Sequence, residues 1–429
     1  MTAGDSNIQT ALDADGVLLA TIDMPGRAMN VFSRGLMDSL EALIDRVEGD
    51  VAVKALVLTS GKGAFLAGAD LDMIRVFTER ARTDSFEALH ELCGHLGRLF
   101  RRLERVPKPT VAAINGLALG GGLEVCMACH SRVVADDEKI QLGLPEIKLG
   151  LLPGAGGTQR LPRLVGTAKG MQMLLTGEPA TPQQALTLGL VDAVVPADEL
   201  IAAAKRLALS GSRTVAAWDQ PKTGFASTPF DFEQPGVFDT IADAVGISAD
   251  QRAKYPAYNA IIDCVVGGWL LPMTEASHRE MDIFVELIRD PVAGNMVRTL
   301  FLNRQKAAKL GLLAKDSPLS VGDDALLPRM KAAIGNARAA GCDDEEILLA
   351  GAFAAVRSWA DGKIDQPELA DVAAVNAGLY PAYTGGPFNY VRQCGPEHLR
   401  ARTAAAAKKT AALFEWHPAI ERLAAGAAA

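Results

Sequence analysis

The sequence predicts a mixed α/β N-terminal part followed by a mostly helical remainder. Three observations predict it. Over the first 210 residues, short apolar runs of strand length alternate with amphipathic helical patterns. Glycine-rich turns lead from strand-like into helix-like segments there. Beyond Ser210 the strand-like runs stop, and helical spacing prevails from Asp239 onward. At 429 residues the chain can hold more than one domain of roughly 100–200 residues each. We divide it into residues 1–210, a helical linker region 211–320 and a helical domain 321–429.

The elements follow in order. Val17–Ile22 and Val53–Thr59 read as short buried strands. Between them Leu36, Leu40, Leu43 and Val47 recur at helical spacing, with Ser33 placed to cap the N-terminus. Phe86–Val106 reads as a helix ended by Pro107 and Pro109, and Thr110–Ile114 as a strand. Gly120-Gly121-Gly122 then turns the chain into a helix starting near Leu123, before a strand at Arg132–Ala135. Helices are expected at Ala168–Leu175 and Leu200–Leu209. Trp218–Pro235 reads as a linker or loop, and Asp316–Asp324 as a second break. Later helical patterns are Ala276–Leu287, Asn295–Lys309, Asp344–Trp359, Gln366–Ala377 and His398–Leu413, with a turn-rich insert at Tyr380–Pro387. The Ala-rich tail Ala424–Ala429 is expected to fray.

Composition excludes some functions. Hydrophobic residues make up 49% and aromatics 5%, which suits helices packed on strands better than a base-stacking surface. The net charge is −8 and no long basic run is present, so nucleic acid is not an expected partner. Six scattered cysteines suit a reduced, cytoplasmic protein. The N-terminus lacks a basic start and apolar stretch, so no secretory signal is expected. Pro109–Ser131 is nearly free of charge, but Asn115, its glycines and Glu124 fit a buried turn better than a membrane span.

Glu124 is the most informative residue. Between Lys108 and Arg132 it is the only formally charged side chain. A carboxylate in such a setting is costly to bury without partners and tends to hold its proton more tightly. That makes it a candidate for proton transfer; the plain alternative is an exposed Glu favoured by a helix N-terminus. The three glycines beside it let backbone amides approach a ligand, and the helix after them aims its positive end at the same place; a tight packing turn is the plain alternative. Glu146 lies shortly before Leu151-Leu-Pro-Gly-Ala-Gly-Gly-Thr-Gln-Arg160, where another helix is expected to start. Two carboxylates near one oxyanion site suit proton transfer at adjacent carbons. In Phe65-Leu-Ala-Gly-Ala-Asp70 small residues again leave N–H groups free, and Asp70 is better read as a helix cap than as a catalytic group.

Other features are set aside. Gly154-Ala-Gly-Gly-Thr-Gln159 half-matches a dinucleotide fingerprint but lacks its third glycine and βαβ context. Cys126-Met-Ala-Cys129 is a lone CxxC, and His90 and His95 miss the i, i+4 spacing of a helical metal pair, so no metal is expected. No nucleophile elbow is present.

Together Phe65–Asp70, Asn115-Gly-Leu-Ala-Leu-Gly-Gly-Gly-Leu-Glu124, Leu142-Gly-Leu-Pro-Glu146 and Pro153-Gly-Ala-Gly-Gly-Thr-Gln-Arg160 resemble the crotonase (enoyl-CoA hydratase/isomerase) family over roughly residues 12–208. The resemblance implies a spiral of ββα units. It also implies an oxyanion hole from the amides of Ala67 and Gly121, with Ala67, Gly68, Ala69, Asp70 and Gly121 binding an acyl-CoA thioester. Glu124 and Glu146 would hold one water, one helping to deprotonate it and the other supplying a proton to C2. Both Glu positions are filled, which favours a hydratase over a Δ3,Δ2-enoyl-CoA isomerase or a non-catalytic crotonase scaffold.

The Glu124–Glu146 interval of 22 residues and the segment Met281–Phe301 are similar to the multifunctional fatty-acid oxidation α-subunits. In those proteins a linker helix leads into an NAD-binding 3-hydroxyacyl-CoA dehydrogenase. Here no Gly-rich βαβ unit follows Leu310, and none of the six His lies in a His-Phe-Phe-Asn-Pro-type motif. Asn376–Tyr390 nevertheless resembles the dehydrogenase's helical C-terminal domain. The resemblance therefore implies β-oxidation-type hydration without NAD or dehydrogenase activity. It leaves open a homo-oligomer or a complex with a thiolase-like partner.

Overall fold

The computed structural model describes residues 7–210, 214–220, 228–322 and 325–426. The outer parts of the Ala-rich tail, and portions of the Trp218–Pro235 and Asp316–Asp324 breaks, lie outside the described residues. By packing the chain divides into two compact units, Met1–Asp290 and Pro291–Ala429.

The first unit is built on a six-stranded sheet. Its strands are β1 (Ile8–Leu12), β2 (Val17–Ile22), β3 (Ala55–Ser60), β5 (Thr110–Ile114), β7 (Ser131–Ala135) and β9 (Ala193–Val195), in that spatial order. β1 runs antiparallel to β2, and the other neighbours are parallel. Every residue of β3, β5 and β7 is buried. Strands covered on both faces read as continuous apolar runs, which is why the sequence shows them plainly. The edge strand β1 has only Ile8 buried and carries no such signal.

A second sheet positions the site. β4 (Leu66–Ala67), β6 (Ala118–Leu119) and β8 (Leu142–Gly143) are two residues each and all parallel. Leu66 pairs with Ala118 and Ala118 with Leu142; Ala67 pairs with Leu119 and Leu119 with Gly143. Each strand follows one of the long strands β3, β5 and β7, so the chain repeats a ββα turn three times, the spiral that the family resemblance implies.

Helices complete the unit. α1 (Arg34–Gly49) buries Leu36, Leu40, Leu43, Ile44 and Val47, and the Ser33 hydroxyl accepts from the Leu36 N–H. α2 (Leu71–Arg80) and α3 (Phe86–Glu104) follow, then α4 (Gly121–Ala128), α5 (Gly157–Val165), α6 (Thr167–Thr176), α7 (Pro182–Thr187) and α8 (Leu200–Leu209). α9 (Val237–Val245), α10 (Ala249–Lys254), α11 (Ala257–Gly268) and α12 (Met273–Arg289) end the unit, with α11 and α12 packed on α5. The Pro109–Ser131 window thus holds β5, β6, the glycine turn and the short buried helix α4, and no helix among the described residues is long and apolar enough to cross a membrane.

Every element of the second unit among the described residues is helical. α13 (Pro291–Met296), a π-helical stretch Val297–Leu302 and α14 (Asn303–Lys309) follow one another, where the sequence predicts one helix from Asn295 to Lys309. α15 (Leu326–Ala339), α16 (Asp344–Ala360), α17 (Pro367–Asn376), α18 (Pro387–Ala406) and α19 (Pro418–Ala424) enclose an apolar core around Met330, Phe353, Phe388 and Ile420. α18 is interrupted at Gly395, whose backbone is non-helical (φ 72°, ψ 159°), so its second segment starts close to the predicted His398; the predicted end at Leu413 is corrected, since the helix stops at Ala406 and a separate 3-10 turn covers Ala411–Leu413. Gly395 and Pro396 thus mark a real break between two helical segments, the glycine leaving helical geometry and the proline starting the next turn.

Candidate active site

The three paired strands β4, β6 and β8 deliver three chemical segments to one place. β4 leads into Gly68–Asp70, β6 into the glycine turn and Glu124 on α4, and β8 into Glu146 on a one-turn 3-10 helix, Glu146–Leu149. The shared register of these strands brings together residues far apart in sequence. The glycines make the approach possible. A Cβ at residue 122 would stand 2.2 Å from the Leu66 carbonyl oxygen, and one at 120 would stand 2.6 Å from Glu146 Oε1. Gly120 also adopts φ 55°, open to glycine at little cost.

A cavity of about 750 Å³ opens at this point, lined by Gly121, Glu124 and Glu146. Apolar side chains from α2, α3 and α12, among them Met73, Phe77, Leu96 and Phe284, form much of the rest. Of the predicted binding loop, Ala69 and Asp70 reach the lining, whereas Ala67 and Gly68 do not.

Glu124 is 3% exposed. Its Oε1 accepts from the Ala155 and Gly157 N–H groups, each at 2.8 Å. No protein hydrogen bond to its Oε2 is found among the described residues. Burial pushes its carboxyl above the ordinary range, while the two amides and Arg160 pull the other way. Glu146 has a buried Oε2 without a hydrogen-bond partner. Burial, then the charge of Glu124, then that of Glu280 push its carboxyl well above the ordinary range, opposed by a backbone N–H. The two carboxyls therefore differ in their surroundings: two fixed amides favour the ionised form of Glu124, while burial and the neighbouring carboxylates favour the proton-bearing form of Glu146.

The Gly121 N–H, at the first position of α4, has no backbone acceptor among the described residues. The Ala67 N–H donates to the Asn30 carbonyl at 2.9 Å, so in this structure that amide is engaged. Asn30 is itself buried, and its side chain bonds Ile22, Ser60 and Met24. Asp70 caps α2 through the Asp72 N–H at 2.9 Å, and Arg27 lies 2.5 Å from its other oxygen. That is the cap expected from the sequence.

Sequence reasoning misses the support behind Glu124. Glu280, on α12, is 1% exposed and accepts from the Gly156 and Thr158 N–H groups at 2.6 and 3.0 Å. It sits on the buried stripe Met273, Ala276, Glu280, Phe284, Leu287. A charge on an apolar stripe is the signal that could find it. The CxxC residues Cys126 and Cys129 are buried free thiols, and burial pushes that of Cys129 up to about 12.

Residues 13–217 match the model of the enoyl-CoA hydratase/isomerase family. The chain is 37% identical over 301 residues to the fatty acid oxidation complex subunit alpha of Shewanella halifaxensis, covering 69% of this chain and 41% of that protein. It is 39% identical over 275 residues to the subunit of the same name from Shewanella sp. (strain MR-4), covering 64% of this chain and 38% of that one. The chain thus spans about two fifths of the length of these curated relatives. Among solved structures, Pseudomonas aeruginosa DspI aligns at 35% identity and a TM-score of 0.42, over 49% of this chain and 82% of that one. The matched segment contains β4, β6, β8 and both carboxylates, and residues 13–217 are a domain of the enoyl-CoA hydratase/isomerase, or crotonase, family.

Proposed function

We propose that the chain is an enoyl-CoA hydratase, adding water to a trans-2-enoyl-CoA to give a 3-hydroxyacyl-CoA in fatty-acid breakdown. The observation that carries this reading is the pair Glu124 and Glu146 on one cavity, one amide-bound and one without a partner. A hydratase needs two proton carriers; both positions are filled.

The chemistry follows from the difference between them. A water between the carboxyls gives its proton to Glu124, whose anion two amides stabilise, as its oxygen bonds to C3. Electron density moves through C2 to the thioester oxygen, where the Gly121 N–H can donate to the developing enolate charge. The resemblance also assigns the Ala67 N–H to this role, which would require it to leave or share its bond to Asn30. Glu146 then delivers its proton to C2. Glu124 ends protonated and Glu146 ionised, and a proton passes back through solvent to restore the pair.

Several finer readings belong to the same proposal. The product leaves unoxidised, because no NAD-binding unit is expected in this chain. A thiolase-like partner or further copies of the chain would be its associates. The cytoplasm suits six cysteines that form no disulfide. The test is loss of the enone absorbance of crotonyl-CoA and of longer enoyl-CoAs on adding protein, with a parallel assay for NADH production. Migration of a 3-enoyl-CoA double bond without net hydration would instead identify an isomerase. No change with any thioester would leave a non-catalytic scaffold, and NADH formation from a 3-hydroxyacyl-CoA would refute the missing oxidation step.

A further inference from the structure

Four successive amides at the start of α5 are divided between two carboxylates. Ala155 and Gly157 donate to Glu124, and Gly156 and Thr158 donate to Glu280. The Thr158 hydroxyl also donates to Glu280 Oε2. From the other side Arg160 Nη1 donates to the Ala155 carbonyl at 2.8 Å. The direction of Glu124's carboxyl is thus fixed by a turn whose alternate amides Glu280 fixes.

We propose that Glu280 is a positioning residue for Glu124: by accepting the Gly156 and Thr158 N–H groups it holds the 155–158 turn that aims the Glu124 carboxyl, and a change in its own charge reaches Glu124 through that turn. Two like charges on alternate amides of one turn repel each other. Burial, followed by the charge of Glu124, pushes the Glu280 carboxyl up to about 8. The other groups that face this pair are Glu146 beyond β8, Arg160 and Arg163 on α5, and Cys264 on α11. Arg160 is already paired with Glu104 of α3, so its charge is shared. Glu280 does not line the cavity, and its effect passes through the turn.

The test uses the intact chain with carboxyl-¹³C-labelled Glu, assigned through Glu124→Gln and Glu280→Gln. This reading depends on the proposed hydratase only for kinetics; the titration does not require turnover. The Glu124 signal should show a second inflection near the pH at which Glu280 titrates, and Glu280→Gln should abolish it. Thr158→Val, which removes a donor to the ionised form, should move that inflection to higher pH. In kinetics Glu280→Ala should lower kcat about tenfold or more with little change in KM, and Glu280→Gln, which keeps the neutral shape, should restore most of it. A Glu124 signal blind to Glu280, or a Glu280→Ala variant with wild-type kcat, overturns the proposal. If Glu280→Ala does not fold, the Thr158→Val titration decides alone. A wild-type protein inert on every thioester overturns the hydratase reading and leaves the titration result standing.

Discussion

Arg160 Nε lies 2.8 Å from Glu104 Oε1, and both side chains are 1% exposed. The pair joins α5 to α3, and Arg101 adds a second contact to Glu104 at 2.6 Å. Because Arg160 also holds the Ala155 carbonyl, this ion pair braces the turn that grips Glu124. Removing one member of such a pair leaves a buried charge with too few partners. Arg160→Met is therefore expected to cost about 3–5 kcal/mol, read from urea unfolding. The double variant Arg160→Met with Glu104→Leu should be more stable than Arg160→Met alone, since it removes the stranded charge as well. Equal stability of Arg160→Met and wild type would remove the brace from this account.

Replacing either carboxyl of the pair should separate chemistry from folding. Glu124→Gln keeps an oxygen for the Ala155 and Gly157 amides, and Glu146→Gln occupies nearly the same volume. Each should lower kcat by roughly 10²–10⁴ through lost proton transfer while circular dichroism and melting stay close to wild type. An active double variant would refute the mechanism outright.

Burial decides how much of the fold is legible in the sequence. β3, β5 and β7 are readable because both faces are covered, and α1 because its stripe and Ser33 agree. β1 is not, since four of its five residues are exposed and only pairing with β2 makes it a strand. α15 escapes notice because its apolar residues are spread weakly around the helix. At the site, Glu124 and Glu146 stand out as charges in apolar stretches, but their meeting depends on the β6–β8 register, which no single segment encodes. Glu280 is hidden differently. Its partners are backbone amides 124 and 122 residues away, and a backbone donor has no letter in the sequence.

Gly120 offers a test of that register. A methyl group there would press on Glu146 Oε1 at 2.6 Å, and φ 55° disfavours any L side chain. Backbone strain of about 1–2 kcal/mol is expected for Gly120→Ala, a modest fall in melting temperature. The displaced Glu146 should cost more, lowering kcat about tenfold or more by misplacing the proton donor. A variant that loses stability but hydrates crotonyl-CoA at the wild-type rate would show that Glu146 need not sit where it does.

The second unit carries its own titrating group. Asp371 on α17 is 2% exposed and accepts from the Phe388 and Asn389 N–H groups at 2.8 and 3.3 Å, at the start of α18. Burial pushes its carboxyl up to about 8, against the pull of those amides and of Arg298 and Arg392. With its folded value above its ordinary one, the folded protein binds the extra proton between them. Its contribution to stability is therefore complete below about pH 4 and is lost as pH rises through about 8. Within that window one such proton corresponds to a slope of about 1.4 kcal/mol per pH unit. Asp371→Asn cannot titrate, so unfolding of the second unit should depend less on pH in the variant than in wild type. At pH 4 wild type should be the more stable, because the NH2 of Asn would face one of the two N–H donors, where the hydroxyl oxygen of the protonated carboxyl can still accept. The difference should narrow or reverse by pH 9. Urea midpoints at pH 4, 6, 8 and 9, followed by the fluorescence of Trp359 and Trp416, would measure it, and parallel curves for the two proteins would refute it.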